Sequence, residues 1–360
     1  MAITAAMVKE LREMSGAGMM DCKKALTECD GDMDAAVDFL KKSGAMKAEK
    51  KASRIAAEGI CRISIDGTNA AVCEVNSETD FVAKNETFQS FVQTVTDQAL
   101  TSNAANIDAF LEEAWKEDSS KTVKDALVEK VATIGEKLTI RRFEKVSAPI
   151  VVGYLHGGGR IGVIVGSEGE KNDATVEALN NVAMQVAAMN PQYISRDEIS
   201  DAEIAKMREI TVDSALNDPA SLPKPILNKL IDKAIADKCW SDEDIAIFEE
   251  KKSNMNFVWN FMSDAAPAAL AELAMADKAN IAGDKIFAGL VEGRISKQLK
   301  EICLYDQAYV KAEDGKQTVA QYLKSVSADL KVVKFVRFET GEGLEKKNED
   351  FAAEVAAQLG

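Results

Sequence analysis

The chain has 360 residues, 46% of them hydrophobic, which suits two or three packed domains and excludes disorder for the bulk of it. Its formal net charge is −15. That is a poor match for a nucleic-acid backbone or an anionic membrane, since both are met by Lys and Arg.

Thr4 is placed to cap a helix over 5–14, with Glu10 and Glu13 on its polar side. Ser15-Gly16-Ala17-Gly18 breaks it. A second helix starts at Met19 and carries Ala25, Leu26 and Cys29 at helical spacing. Asp30-Gly31-Asp32 makes the next turn. A third helix buries Ala36, Phe39 and Leu40, and Ser43-Gly44 is expected to end it. A Lys-rich helix over 45–57 then leads away. So small a module has a marginal core. Met19 and Met20 admit two readings: one core residue and one incidental, or a deformable apolar contact patch flanked by Lys9 and Lys23.

Residues 58–76 read as strand, turn, strand about Asp66-Gly67, a hairpin signal. Glu74-Val-Asn-Ser-Glu-Thr-Asp-Phe-Val-Ala-Lys84 then passes from strand to helix. At that turn stand Thr79, Asp80, Phe81 and Val82, an acid beside a large aromatic where a plain loop favours Gly, Pro or Asn. Helices are expected over 86–100, 107–115 and 123–134, and a strand over 138–146.

The same order recurs. Strands over 150–154 and 161–165 flank Gly157-Gly158-Gly159, a helix runs through Val176, Leu179, Val182 and Val186, and a strand spans 330–339. Arg142-Phe143-Glu144 and Arg337-Phe338-Glu339 share three residues. The reading is an α+β fold with an internal duplication; chance likeness of two amphipathic strands is the alternative. The second copy has Ser167-Glu-Gly-Glu-Lys171 where the first has Asp80-Phe81, so the acid and aromatic are no requirement of the scaffold. The glycine triplet lacks the Lys-Ser/Thr of a phosphate loop and lies between strands, which reads as a hairpin turn.

Residues about 200–298 interrupt the second copy with helices. Ser200 and Ser241 are caps, and Pro223 and Pro225 are breaks. The aromatic cluster Trp240, Phe257, Trp259 and Phe261 reads as the insertion's own core, with an interface as the alternative. A short helix over 349–357 closes the chain.

Cys22, Cys29, Cys61, Cys73, Cys239 and Cys303 include no CxxC pair, and His156 is the single histidine. That argues against a Cys/His metal site and for free thiols in a reducing compartment. With no apolar leader and no apolar run of ~18 residues, a cytoplasmic location is expected.

Two long strings carry a resemblance. Leu11-Arg-Glu-Met-Ser-Gly-Ala-Gly-Met-Met-Asp-Cys-Lys-Lys-Ala-Leu26 and Glu74-Val-Asn-Ser-Glu-Thr-Asp-Phe-Val-Ala-Lys84 resemble the two signatures of the translation elongation factor Ts family. Ile134-Gly135, the Arg-Ile-Gly-Val run at 160–163, Val291-Glu-Gly-Arg294 and Phe351-Ala-Ala-Glu-Val-Ala356 add to it, over about 1–215 and 288–360. The resemblance implies a guanine-nucleotide exchange factor for elongation factor Tu, with no catalysis and no cofactor of its own. It implies a ubiquitin-associated-like three-helix module at 1–54 and a core subdomain at 55–147. A second core subdomain follows at 148–340, interrupted by the insertion, and a C-terminal helical module at 341–360. Carried over by position, Lys9, Met19, Met20 and Lys23 dock on the GTPase's nucleotide domain. The Thr79-Asp80-Phe81-Val82 turn enters near its magnesium and phosphates, with Ile134 and Gly135 beside it. His156 and Val310 belong to the second subdomain's contacts, though Lys311 departs from the apolar residue common there. The stretch 217–287 is longer than the family's simple helical hairpin, and a homodimer through it is a further expectation. Direct nucleotide, nucleic-acid or membrane binding is not expected. Two rivals stand beside this reading: an adaptor with no exchange activity, and an enzyme built on the glycine hairpin.

Overall fold

The computed structural model describes residues 3–345. The chain forms two units. One takes the residues up to Asn190, with Tyr309–Glu313 and the chain from Gln321; the other takes Pro191–Ala308 and Asp314–Ala320.

In the first unit, the elements in order are α1 (Ala5–Ser15), α2 (Met19–Glu28), α3 (Met33–Lys51), β1 (Glu58–Asp66), β2 (Asn69–Ser77), α4 (Asp80–Ala83) and α5 (Glu86–Thr101). They continue as α6 (Ile107–Leu111), β3 (Ala114–Trp115), β4 (Asp118–Thr122), α7 (Val123–Ile134), β5 (Thr139–Ser147), β6 (Ile150–His156), β7 (Ile161–Glu168) and α8 (Asp173–Met189). The Thr4 hydroxyl caps α1 by accepting from the Met7 amide, and Gly16 leaves it in the left-handed region at φ 64°. The three helices close on Val8, Leu11, Cys22, Ala25, Leu26 and Ala36, the small core expected of so short a segment.

The end of the third helix differs from expectation. Ser43-Gly44 does not end the third helix; α3 runs unbroken to Lys51, and no Lys-rich helix reaches 57. Gly44 is buried against α7, where a Cβ would sit 3.4 Å from that of Ala132. Close helix packing offsets the roughly 1 kcal/mol that glycine costs a helix interior.

Two three-stranded antiparallel sheets form the centre of this unit, in the orders β1-β2-β5 and β6-β7-β8, where β8 is Lys331–Glu339. Because alternate residues of a strand face opposite sides, Ile60, Cys73 and Val75 pack with Phe88, Phe91, Val92 and Val95 of α5. The other face brings Cys61, Val72 and Val146 onto Val151, Ile164 and Phe338 of the second sheet. Glycine makes that approach possible. A Cβ at Gly162 would lie 2.9 Å from both Cys61 Cβ and Val72 Cγ2. Gly162→Val should therefore cost about 1–3 kcal/mol through overpacking, seen as a lower urea midpoint at unchanged slope. α8 packs on β6 and β7.

The helix expected over 107–115 stops at Leu111, and Ala114-Trp115 turns into a two-stranded hairpin with Asp118–Thr122. Tertiary contacts outweigh local preference here. The Gln98 amide donates to the Ala114 carbonyl and accepts from the Lys116 amide, both at 2.9 Å. Trp115 is thereby set against Phe91, ring centroids 5.7 Å apart.

The second unit is helical: α9 (Asp201–Leu216), α10 (Lys224–Ala236), α11 (Asp242–Lys251), α12 (Met255–Val258), α13 (Ala265–Ala276), α14 (Lys278–Ala282) and α15 (Lys285–Ile302). A further helix, α16 (Val319–Val326), precedes β8. Trp240 is buried and donates from its indole nitrogen to the Ala266 carbonyl at 2.9 Å. Trp259 meets it edge-on and is half-buried. The expected aromatic core is only half right, because Phe257 and Phe261 stay exposed at 58% and 56%. Val258, at the end of α12, and Met262, in the turn after it, take the inward positions, each next to an outward phenylalanine. Lys251 covers the Phe261 face at 4.7 Å. The helix expected over 349–357 lies outside the described residues. Among the described residues, no helix is long and apolar enough to cross a membrane.

Candidate functional site

The turn after β2 is a helix of four residues. Thr79 caps it, its hydroxyl accepting from the Val82 amide at 3.4 Å. So short a helix cannot stabilise itself, and it is anchored by its inner side: Val82 and Ala83 pack on the α5 core. That leaves Asp80 and Phe81 facing outward. Phe81 is 79% exposed, a large apolar ring that the fold itself does not use. Asp80 pairs with Lys84 at 2.7 Å, and that ammonium holds its carboxyl below the usual range.

Ile134 and Gly135 come to the foot of this turn. Ile134 is half-buried in the same core. Gly135 ends α7 in the left-handed region at φ 89°. The residue after it makes the connection. Glu136 accepts from the amides of Glu78 and Thr79, both at 3.0 Å, and from the Thr79 hydroxyl at 2.7 Å. Glu78 in turn accepts from the Lys137 amide at 2.6 Å and from the Arg54 guanidinium at 3.2 Å. The Lys51 ammonium donates to the Gly135 carbonyl. Segments 78–82 and 134–137, with the exit of α3, thus share one base.

The remaining expected contact residues stand on separate elements. Met19 and Met20 are both exposed, at 60% and 75%, so neither is core and the contact-patch alternative fits. Lys23 is exposed on the same helix, and Lys9 lies on α1 within 3.7 Å of Glu13. His156 ends β6, exposed, its Nδ1 3.1 Å from the Tyr154 hydroxyl. Val310 is half exposed at 50%, and its amide donates to Gln185 Oε1 at 2.8 Å. Lys311 reaches Asn181 at 2.7 Å, and Tyr309 stacks on Tyr322 at 4.1 Å. An outward ammonium therefore stands beside Val310.

The elongation factor TS family model matches residues 78–342 of the chain. The elongation factor Ts of Clostridioides difficile (strain 630) is 44% identical over 363 residues, spanning 99% of this chain and 99% of its own length. The chain belongs to the elongation factor Ts family. It is an elongation factor of protein biosynthesis, as the two signature strings imply.

The family match opens on Glu78, one of the two carboxylates at the base of the Phe81 turn. Sequence reading missed that pair, because an acid after a helix-ending glycine is an ordinary surface residue until its partners are seen. It also missed Glu74, which did carry a signal: an acid in the otherwise apolar run of β2. Glu74 is fully buried. It accepts from Arg142 at 2.5 Å, Arg141 and Asn76 at 3.0 Å, and the Gly341 amide at 2.8 Å. Burial alone pushes its carboxyl up, but the donations from Gly341, Asn76 and the two arginines outweigh it and the net shift is downward. Gly341 holds φ 73° with the Ala57 carbonyl where a side chain would begin, so only glycine fits. The signature strand is thereby fastened to the turn after β8. The Cys61 thiol, pushed up by burial to about 12, and the buried Cys73 thiol are protonated and inert at neutral pH.

Proposed function

We propose that this chain is the guanine-nucleotide exchange factor of elongation factor Tu, acting by binding and not by catalysis. The observation that carries the reading is the exposed Phe81 ring beside Asp80 on an anchored turn. GDP is held in a GTPase by loop amides around its phosphates and by Mg²⁺. Magnesium demands near-octahedral geometry, so a small displacement of its ligands weakens it strongly. Phe81 is the apolar wedge that shifts an element of the GTPase, and Asp80 disturbs the polar network at the metal. Ile134 and Gly135 contact the same domain, Lys9, Met19, Met20 and Lys23 dock on it from the N-terminal helices, and His156 and Val310 serve the second set of contacts. No bond is broken; a nucleotide-poor state is stabilised and a population shifts.

The finer architecture goes with this reading. Residues 1–54 are the ubiquitin-associated-like docking module, 55–147 and 148–340 are duplicated subdomains, about 200–298 is the insertion, and 341–360 is the C-terminal module. The duplication is supported by two antiparallel sheets, each a hairpin plus a closing strand with helices between. Exposed Phe257 and Phe261 support a homodimer through the insertion, which a single monomeric species in sedimentation velocity would exclude. The setting is cytoplasmic.

The exchange reading is tested by gel filtration with nucleotide-free elongation factor Tu. A stable complex that excess GDP and Mg²⁺ dissociate is expected, with no GDP bound by the chain alone in equilibrium dialysis. Failure to form that complex would favour an adaptor for other proteins. GDP bound by the isolated chain would favour an enzyme.

A further inference from the structure

Phe81 is exposed, and the Lys84 ammonium over its ring at 5.9 Å belongs to the same turn, so its direction follows from the backbone of α4. That backbone is a single turn, and one turn of helix is not self-supporting. Its support comes from the exchange between two carboxylates 58 residues apart: Glu136 takes the amides at Glu78 and Thr79, and Glu78 takes the amide at Lys137. The Thr79 hydroxyl serves twice, donating to Glu136 at 2.7 Å and accepting from Val82. The Lys137 ammonium reaches the Arg54 carbonyl at 2.8 Å, closing the base on a third segment. Hydrogen bonds to a charged acceptor are the stronger kind, and these are partly buried.

We propose that Glu136 is a positioning residue for Phe81, the member of this clasp that makes 78–82 and 134–137 one rigid prong. The proposal rests on the exchange reading. A wedge on a loose turn yields when it meets a packed partner, and it also loses affinity to its own ordering. A wedge on a clasped turn displaces what it meets. Glu136 therefore acts through Phe81 and touches neither nucleotide nor metal.

The test is a double-mutant cycle. Release of fluorescent GDP from elongation factor Tu is followed by stopped flow with the wild-type chain, Glu136→Ala, Phe81→Ala and the double variant, with the thermal midpoint of each. Glu136→Ala is expected to lower the saturating release rate about tenfold or more, the worth of its charged hydrogen bonds. Once Phe81 is alanine, removing Glu136 should cost less than about twofold, because coupled residues do not add. Equal losses in both backgrounds would overturn the proposal, since a merely structural residue behaves so. An unchanged rate in Glu136→Ala beside an active wild type would overturn it and leave the exchange reading standing. An inactive wild type would remove both. If Glu136→Ala does not fold, Glu136→Gln replaces it in the cycle: it has the same shape, its amide nitrogen cannot accept, and the same outcomes decide.

Discussion

Phe81→Ala is expected to leave the fold unchanged and to slow GDP release from elongation factor Tu about thirtyfold, the loss of an anchor residue worth about 2 kcal/mol. The two halves of that result have separate causes. Stability is untouched because the ring is 79% exposed, while Val82 and Ala83 hold α4 to the core. Exchange suffers because the ring is the part of the turn that can occupy space in a partner. Stopped-flow release with fluorescent GDP reads the second half, and a thermal melt reads the first. Phe81→Leu should recover part of the rate, since it restores apolar volume without the flat ring. A melting midpoint lowered by many degrees in Phe81→Ala would mean that the ring belongs to the fold.

Glu74→Ala has the larger effect on stability, about 3–5 kcal/mol, because it leaves the partly buried Arg141 and Arg142 without their shared carboxylate. It also frees the turn at Gly341 from β2. The pH dependence has a definite sign. Glu74 has a folded pKa below its unfolded one. Its contribution is complete above the unfolded value of about 4.3 and fades as pH falls through the folded value. Urea unfolding of the wild type from pH 7 down to pH 3 should therefore show stability falling in the acid range. In Glu74→Gln that slope should flatten while neutral-pH stability drops. Parallel curves for the two proteins would show that Glu74 is not the titrating group.

Much of this was legible in the sequence, for reasons that differ by element. The β1–β2 hairpin was readable because Asp66-Gly67 is a local signal and the strands alternate around it. The caps at Thr4 and Ser200 were readable for the same reason, being chemistry within three residues. The end of α3 was misread because Gly44 is explained by Ala132, nearly ninety residues on, and not by its neighbours. Ala114-Trp115 was misread because Gln98 supplies its backbone partners from another helix. The Thr79–Val82 turn divides along the same line. Asp80 and Phe81 stood out as residue types that a strand-to-helix turn does not need. The clasp that aims them did not, since Glu78 and Glu136 become a pair only when β2 and the end of α7 meet. Composition alone reads Phe257 and Phe261 as core, with an interface as the alternative. Phe257 on α12 and Phe261 in the turn after it point outward while the neighbouring Val258 and Met262 point inward, an orientation that a cluster of aromatics does not reveal.

The decisive measurement is GDP release from purified elongation factor Tu, in stopped flow, with and without the wild-type chain at rising concentration. The expected result is a release rate that climbs with the chain and saturates, reversed by excess Mg²⁺. A rate indifferent to the chain at every concentration, with the chain shown to be folded, would contradict the role assigned to Phe81 and to the turn that carries it.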